Sequence, residues 1–153
     1  MRFMILTLVM FLLLLGGCVD SQDFNSQIRD ALDEIGTFEY DAYNYIIIIP
    51  EAGCSGCISE AEDFYKSHKT DSTYYVFTKL VSRKNLRLKL GIDVEHERNV
   101  FIDDDWLFLS PDDGINTYPI VVDIRDKSSL KWMFLEPGQD LGALFDKNLK
   151  SIE

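Results

Sequence analysis

The chain is poor in thiol, in imidazole and in positive charge. Its 153 residues include three cysteines and two histidines. Cys18 stands at the end of an N-terminal apolar run. Cys54 and Cys57 share one Cys-Ser-Gly-Cys motif, and no further thiol follows to scramble with them. Structural zinc wants four ligands, usually two such pairs or one pair with two spaced histidines. His68 and His96 are far apart in the chain and each stands alone. His68 falls on the apolar side of a predicted helix and reads as packed. His96 lies in a polar stretch and reads as solvated. No metal site is therefore expected, although a copper carrier using both thiols and His96 remains an alternative. Lys and Arg number 15 against 26 Asp and Glu, for a formal charge of −11. Phosphates reward basic patches, so nucleic acid is excluded as a partner. The acidic runs Asp103-Asp104-Asp105 and Asp112-Asp113 lack the spacing of an EF-hand loop and read as solvated. Internal repeats and low-complexity tracts are absent.

A spanning hydrophobic segment is also missing. Phe3 to Leu15, broken only by Thr7, falls short of the roughly 20 apolar residues needed to cross a bilayer. Arg2 before it and small residues after it make a secretory signal. Its end, Leu15-Gly16-Gly17-Cys18, resembles the lipobox of bacterial lipoproteins. That resemblance implies cleavage before Cys18 and lipid on its thiol, placing the protein in the bacterial cell envelope with the membrane as one partner. Several acyl chains on one residue anchor firmly, since each buried CH₂ adds about 0.8 kcal/mol. Residues 1–17 would be the signal peptide, 18–22 a polar tether and 23–153 one domain. Losing Arg2 leaves 14 Lys and Arg against 26 Asp and Glu in the mature chain. Its 136 residues suit a single core.

Apolar periodicity organises the domain. Phe24, Ile28, Leu32 and Ile35 predict a helix over 23–35, with Gly36 as its C-terminal cap. Tyr45 to Ile49 is a central strand, buried on both faces. Residues 54 to about 69 read as a helix whose core face is Ile58, Ala61, Phe64, Tyr65 and His68, with Glu62 and Lys66 placed for an i,i+4 pair. Thr73 to Leu80 is a strand, and strand–helix–strand over this length requires a parallel pair. Ser82 caps a short helix that ends at Gly91. Asn99 to Asp103 is a further short strand. Trp106-Leu107-Phe108-Leu109 is an apolar patch in a loop, serving as core or as a substrate face. Ile120–Ile124 and Leu130–Leu135 form an antiparallel hairpin with Trp132 and Phe134 as strand core. Leu141, Leu144, Phe145, Leu149 and Ile152 mark a closing amphipathic helix.

The order βαβ, connecting segment, ββα, together with Cys54-Ser55-Gly56-Cys57 and Tyr118-Pro119, resembles the thioredoxin-like superfamily over about residues 38 to 151. The expected fold is α/β and thioredoxin-like: a central mixed sheet flanked by helices, with an extra N-terminal helix. The lengthened middle segment resembles the longer forms in membrane-anchored thioredoxin-like reductases and peroxiredoxin relatives, and with the lipobox the chain as a whole resembles a membrane-anchored thioredoxin-like bacterial lipoprotein. The resemblance implies thiol–disulfide exchange with protein or small-molecule thiols and disulfides in the envelope, needing no cofactor. Cys54 would attack, Cys57 would resolve, and a cis Pro119 with Tyr118 before it would shape the substrate groove. A Cys-x-x-Cys pair closes too small a loop to staple a fold by chain entropy, which also favours chemistry. The alternative is a non-enzymatic module on the same fold, carrying copper or zinc or docking a partner.

Four features depart from the family, one being Ser55-Gly56 between the cysteines in place of Gly-Pro. Gly53, not Trp, precedes Cys54. The strand Ile46-Ile47-Ile48-Ile49 holds no buried carboxylate, and Glu51 is the nearest one. Glu60, Glu62 and Asp63 place negative charge on the motif's own helix, which disfavours a thiolate.

Overall fold

The computed structural model describes residues 21–68, 72–91, 93–110 and 115–150. Cys18, Lys69 and the Asp112-Asp113 run lie outside the described residues. The elements are α1 (Ser21–Ile35), β1 (Tyr45–Pro50), α2 (Ser55–Ser67), β2 (Thr73–Thr78), α3 (Arg83–Leu90), β3 (Val100–Asp103), β4 (Ile120–Asp123), β5 (Lys131–Phe134) and α4 (Leu141–Lys150). Short 3₁₀ turns at Val94–His96 and Ile115–Thr117 precede β3 and β4.

The five strands form one mixed sheet in the order β3-β2-β1-β4-β5. β1, β2 and β3 run parallel, and β4 and β5 are antiparallel to their neighbours. β1 is the middle strand and every residue in it is buried. Strand side chains alternate between faces, so Tyr45, Ile47 and Ile49 pack with α2, α3 and Leu141 of α4. Ile46 and Ile48 pack with α1 and Phe108 on the other face. That is why the run of four isoleucines is apolar without alternation: each is sealed by a helix layer. Burying one such side chain stabilises the fold by about 1.5–3 kcal/mol.

Local chemistry sets the ends of these elements. Ser82 Oγ accepts the Asn85 N–H at 3.4 Å at the start of α3, and Gly91 follows its last residue with φ 117°. Gly36, at φ 67°, ends α1. At the end of β3, buried Asp103 accepts the Thr78 Oγ1 hydroxyl at 2.8 Å and the Leu107 and Phe108 N–H groups at 2.9 and 3.1 Å. These bonds turn Phe108 into the α1-side core. The 106–109 patch is therefore split. Phe108 is buried, Leu107 and Leu109 are half-buried, and Trp106 is 59 % exposed with φ 61°.

Two side-chain readings are corrected. Glu62 does not pair with Lys66. It is buried, and its Oε1 meets Lys89 Nζ of α3 at 3.2 Å, whereas Lys66 bonds Asp63 at 2.8 Å. A neighbouring helix supplies the counter-ion that the helix's own surface was expected to supply. His68 is exposed rather than packed in the core. It caps the end of α2 and stacks on Phe64 with ring centroids 4.4 Å apart.

Candidate active site

Parallel strands deliver the loops after β1, β2 and β3 to one end of the sheet. Cys54 lies at that end, four residues beyond Pro50, as the N-cap residue of α2. Its carbonyl accepts the first helical bond, from Ile58 N at 2.9 Å. Three residues on, Cys57 returns to the same side, and the two sulfurs are joined as a disulfide with Cα atoms 5.4 Å apart. Cys54 is half-buried and Cys57 is 3 % exposed. The exposure order is the one an attacking and a resolving thiol need.

The N-cap position matters for the reduced state. A cap residue normally accepts an N–H from the first helical turn. In the disulfide, Cys54 makes no such bond. Once reduced, its sulfur occupies the place where unpaired N–H groups and the helix dipole favour an anion. Opposing that, Glu60 lies one turn further along the same helix, and Glu136 and Asp140 stand across a hollow of about 340 Å³ that Cys57 lines. Among the described residues no cation pairs with these three carboxylates.

The segment before β4 comes to the same end. β4 pairs antiparallel to β1, with Ile120 opposite Ile48, so Pro119 falls beside the C-terminal end of β1. Direct contact with the motif is made by Thr117, whose carbonyl accepts the Cys54 N–H at 2.8 Å. The sequence reading missed this residue. A β-carbon on Gly53 would collide with the Thr117 carbonyl oxygen and stand 2.8 Å from the carbonyl carbon. Glycine thus precedes Cys54 because another backbone passes too close for any side chain. Asn116 steadies this segment: its Oδ1 accepts the Ser110 N–H and its Nδ2 donates to the Ser110 carbonyl, both at 2.8 Å.

Tyr118 is half-buried, with its ring 6.3 Å from that of Phe134, and both line a second hollow of about 290 Å³ with Glu136 and Pro137. Pro119 is buried, and its carbonyl accepts the Leu135 N–H at 2.8 Å. No peptide bond among the described residues is cis, so the expected cis Pro119 is corrected to trans. Trans is the lower form of an X–Pro bond by about 0.5–1 kcal/mol. The Ile115–Thr117 turn already brings a carbonyl onto Cys54 with the bond trans.

Glu51, the carboxylate nearest the strand in sequence, is held by backbone. Its Oε2 accepts the Val81 and Ser82 N–H groups, the latter at 3.0 Å, and so ties the β1 and β2 loops together. Both histidines are remote. His68 ends α2 ahead of β2, and His96 precedes β3; both therefore sit at the opposite end of parallel strands from the disulfide. Among the described residues no group of three or more His, Cys, Asp or Glu side chains is placed to hold a metal ion. No helix among them is long and apolar enough to cross a membrane. Set against known proteins, the chain matches no family model, no curated protein and no solved structure.

Proposed function

We propose that this chain is a thioredoxin-like thiol–disulfide oxidoreductase, anchored in the bacterial cell envelope by lipid on Cys18 and acting on exported thiols and disulfides. The observation that carries the reading is the Cys54–Cys57 disulfide at the N-terminus of α2, with one sulfur half-exposed and the other buried. The helix–strand order around a five-stranded mixed sheet is compatible with that fold. The lipobox-like Leu15-Gly16-Gly17-Cys18 supports the anchor.

In the exchange, a partner thiolate attacks Cys54 Sγ. The Cys54–Cys57 bond breaks, a partner–Cys54 disulfide forms, and Cys57 leaves as a thiolate that takes up a proton. The partner's second thiol, once deprotonated, attacks its own sulfur in the mixed disulfide and releases Cys54. Two electrons and two protons have then passed from the partner dithiol to the protein. Running the same steps backwards reduces a partner disulfide. The metal-carrying alternative gains no support from histidines at the far end of the sheet.

The test is insulin-disulfide reduction with dithiothreitol as electron source, followed by mass spectrometry. Cys54→Ser should abolish turnover, and Cys57→Ser should trap mixed disulfides on Cys54. Equal inertness of the wild type and both variants toward varied partners would overturn the reading.

A further inference from the structure

The hollow beside Cys57 has a composition that thiol exchange alone does not require. Gly56 and Cys57 form one wall with Glu60, and residues 136–140 form the other, contributing Glu136, Gln139 and Asp140. At about 340 Å³ it falls in the range of ligand-binding clefts. A β-carbon on Gly56 would meet nothing within 4 Å, so the surface over the disulfide is left open on this side.

Part of the acidity has structural work. Glu60 Oε1 accepts the Leu141 N–H at 3.3 Å, and Asp140 Oδ1 accepts the Ala143 N–H at 3.0 Å, so both cap α4. Glu136 Oε2 accepts only Gln139 Nε2 in its own turn, at 3.4 Å. Each carboxylate still has a second oxygen, and none has a cationic partner among the described ion pairs. The three line the hollow without converging, since no described cluster is tight enough for a metal ion. A spread of single carboxylates suits an extended cationic side chain better than a bare divalent ion. Glu136 and Pro137 also border the Tyr118–Phe134 hollow, so the two hollows share these residues.

We propose that the occupant is a cysteine-bearing segment of a partner protein with Lys or Arg beside its cysteine, the cation lying between Glu60, Glu136 and Asp140. This rests on the exchange chemistry proposed above and names its substrate class. Charge complementarity at an entry site acts mainly on association and weakens with salt.

The experiment measures the rate at which monothiol peptides open the Cys54–Cys57 disulfide of the full chain. One peptide flanks its cysteine with Lys, the other with Glu. Each rate is divided by the same peptide's rate with hydroxyethyl disulfide, which removes differences in thiol pKa. The normalised Lys-to-Glu ratio should be about 10 or more at low ionic strength, within the range of electrostatic steering. It should drop at least 3-fold at about 1 M salt, where the screening length is near 3 Å. In the variant Glu60→Gln, Glu136→Gln, Asp140→Asn the acceptors that cap α4 remain and only charge is lost; there the ratio should fall below about 3. A ratio near 1 in the wild type, or one unmoved by both salt and the triple change, overturns the cationic substrate while the exchange reading stands. Should the triple variant fail to fold, the salt dependence of the wild-type ratio decides alone. No exchange with either peptide or with 2-mercaptoethanol overturns both.

Discussion

Residues 50–54, on the strand side of the disulfide, and residues 55–60, on its helix side, differ in how closely the rest of the chain approaches them. On the first side Gly53 is pressed against the Thr117 carbonyl, and the Cys54 N–H is taken up by that same carbonyl. On the second side Gly56 faces open space and the hollow lined by Cys57 begins. Two glycines three residues apart, one just before the motif and one inside it, are there for opposite physical reasons. One permits a contact that fixes where Cys54 stands; the other withholds a side chain from a surface. In the proposed exchange the first flank positions the nucleophile and the second admits the partner.

The comparison breaks most readily at Gly53. Gly53→Ala should lower unfolding free energy by about 3 kcal/mol, the upper end of overpacking costs, because the obstacle is backbone and cannot swing aside. Urea denaturation with the disulfide intact checks this, and a loss under about 1 kcal/mol would mean that Thr117 yields easily. Gly56→Ala should act in the opposite direction, stabilising by roughly 0.5–1 kcal/mol through helix propensity; a destabilisation would show that the open side is not open.

The smallest effect is expected at the far end of the sheet, as a contrast with both flanks. Asp123 is partly desolvated, which pushes its carboxyl up, but hydrogen bonds from the Arg125 guanidinium and N–H outweigh that and hold it below the usual carboxylate value. A carboxyl depressed in the folded state contributes stability above its unfolded pKa, and that contribution is lost as pH falls through the folded value. The pair is partly exposed, so Asp123→Asn should cost roughly 0.5 kcal/mol near neutrality and nothing once the wild-type carboxyl is protonated. The acid side of its stability–pH curve should be correspondingly shallower.

Much of this architecture was legible from local signals. Ser82 and Gly91 bracket α3 as capping chemistry requires, and the unbroken Ile46–Ile49 run marks the middle strand of the sheet. The Tyr118-Pro119 segment was singled out only by the resemblance to the thioredoxin-like superfamily, and the backbone contact on Cys54 comes from Thr117 just before it. What escaped the sequence depends on distant neighbours. Nothing near Gly53 announces Thr117, which approaches only because β4 pairs with β1. Helical spacing offered Lys66 to Glu62, but α3 brings Lys89 to it instead. The acidic wall of the hollow was half visible: Glu60 is on the motif's helix, while Glu136 and Asp140 arrive from the loop after β5.

The Asn116 side chain, bonded to both the N–H and the carbonyl of Ser110, works as a clasp between the two sides of the 110–116 loop. Because Thr117 directly follows Asn116, the clasp also steadies the carbonyl that meets the Cys54 N–H, so the place of the disulfide is inherited in part from two amide hydrogen bonds far from it in the chain.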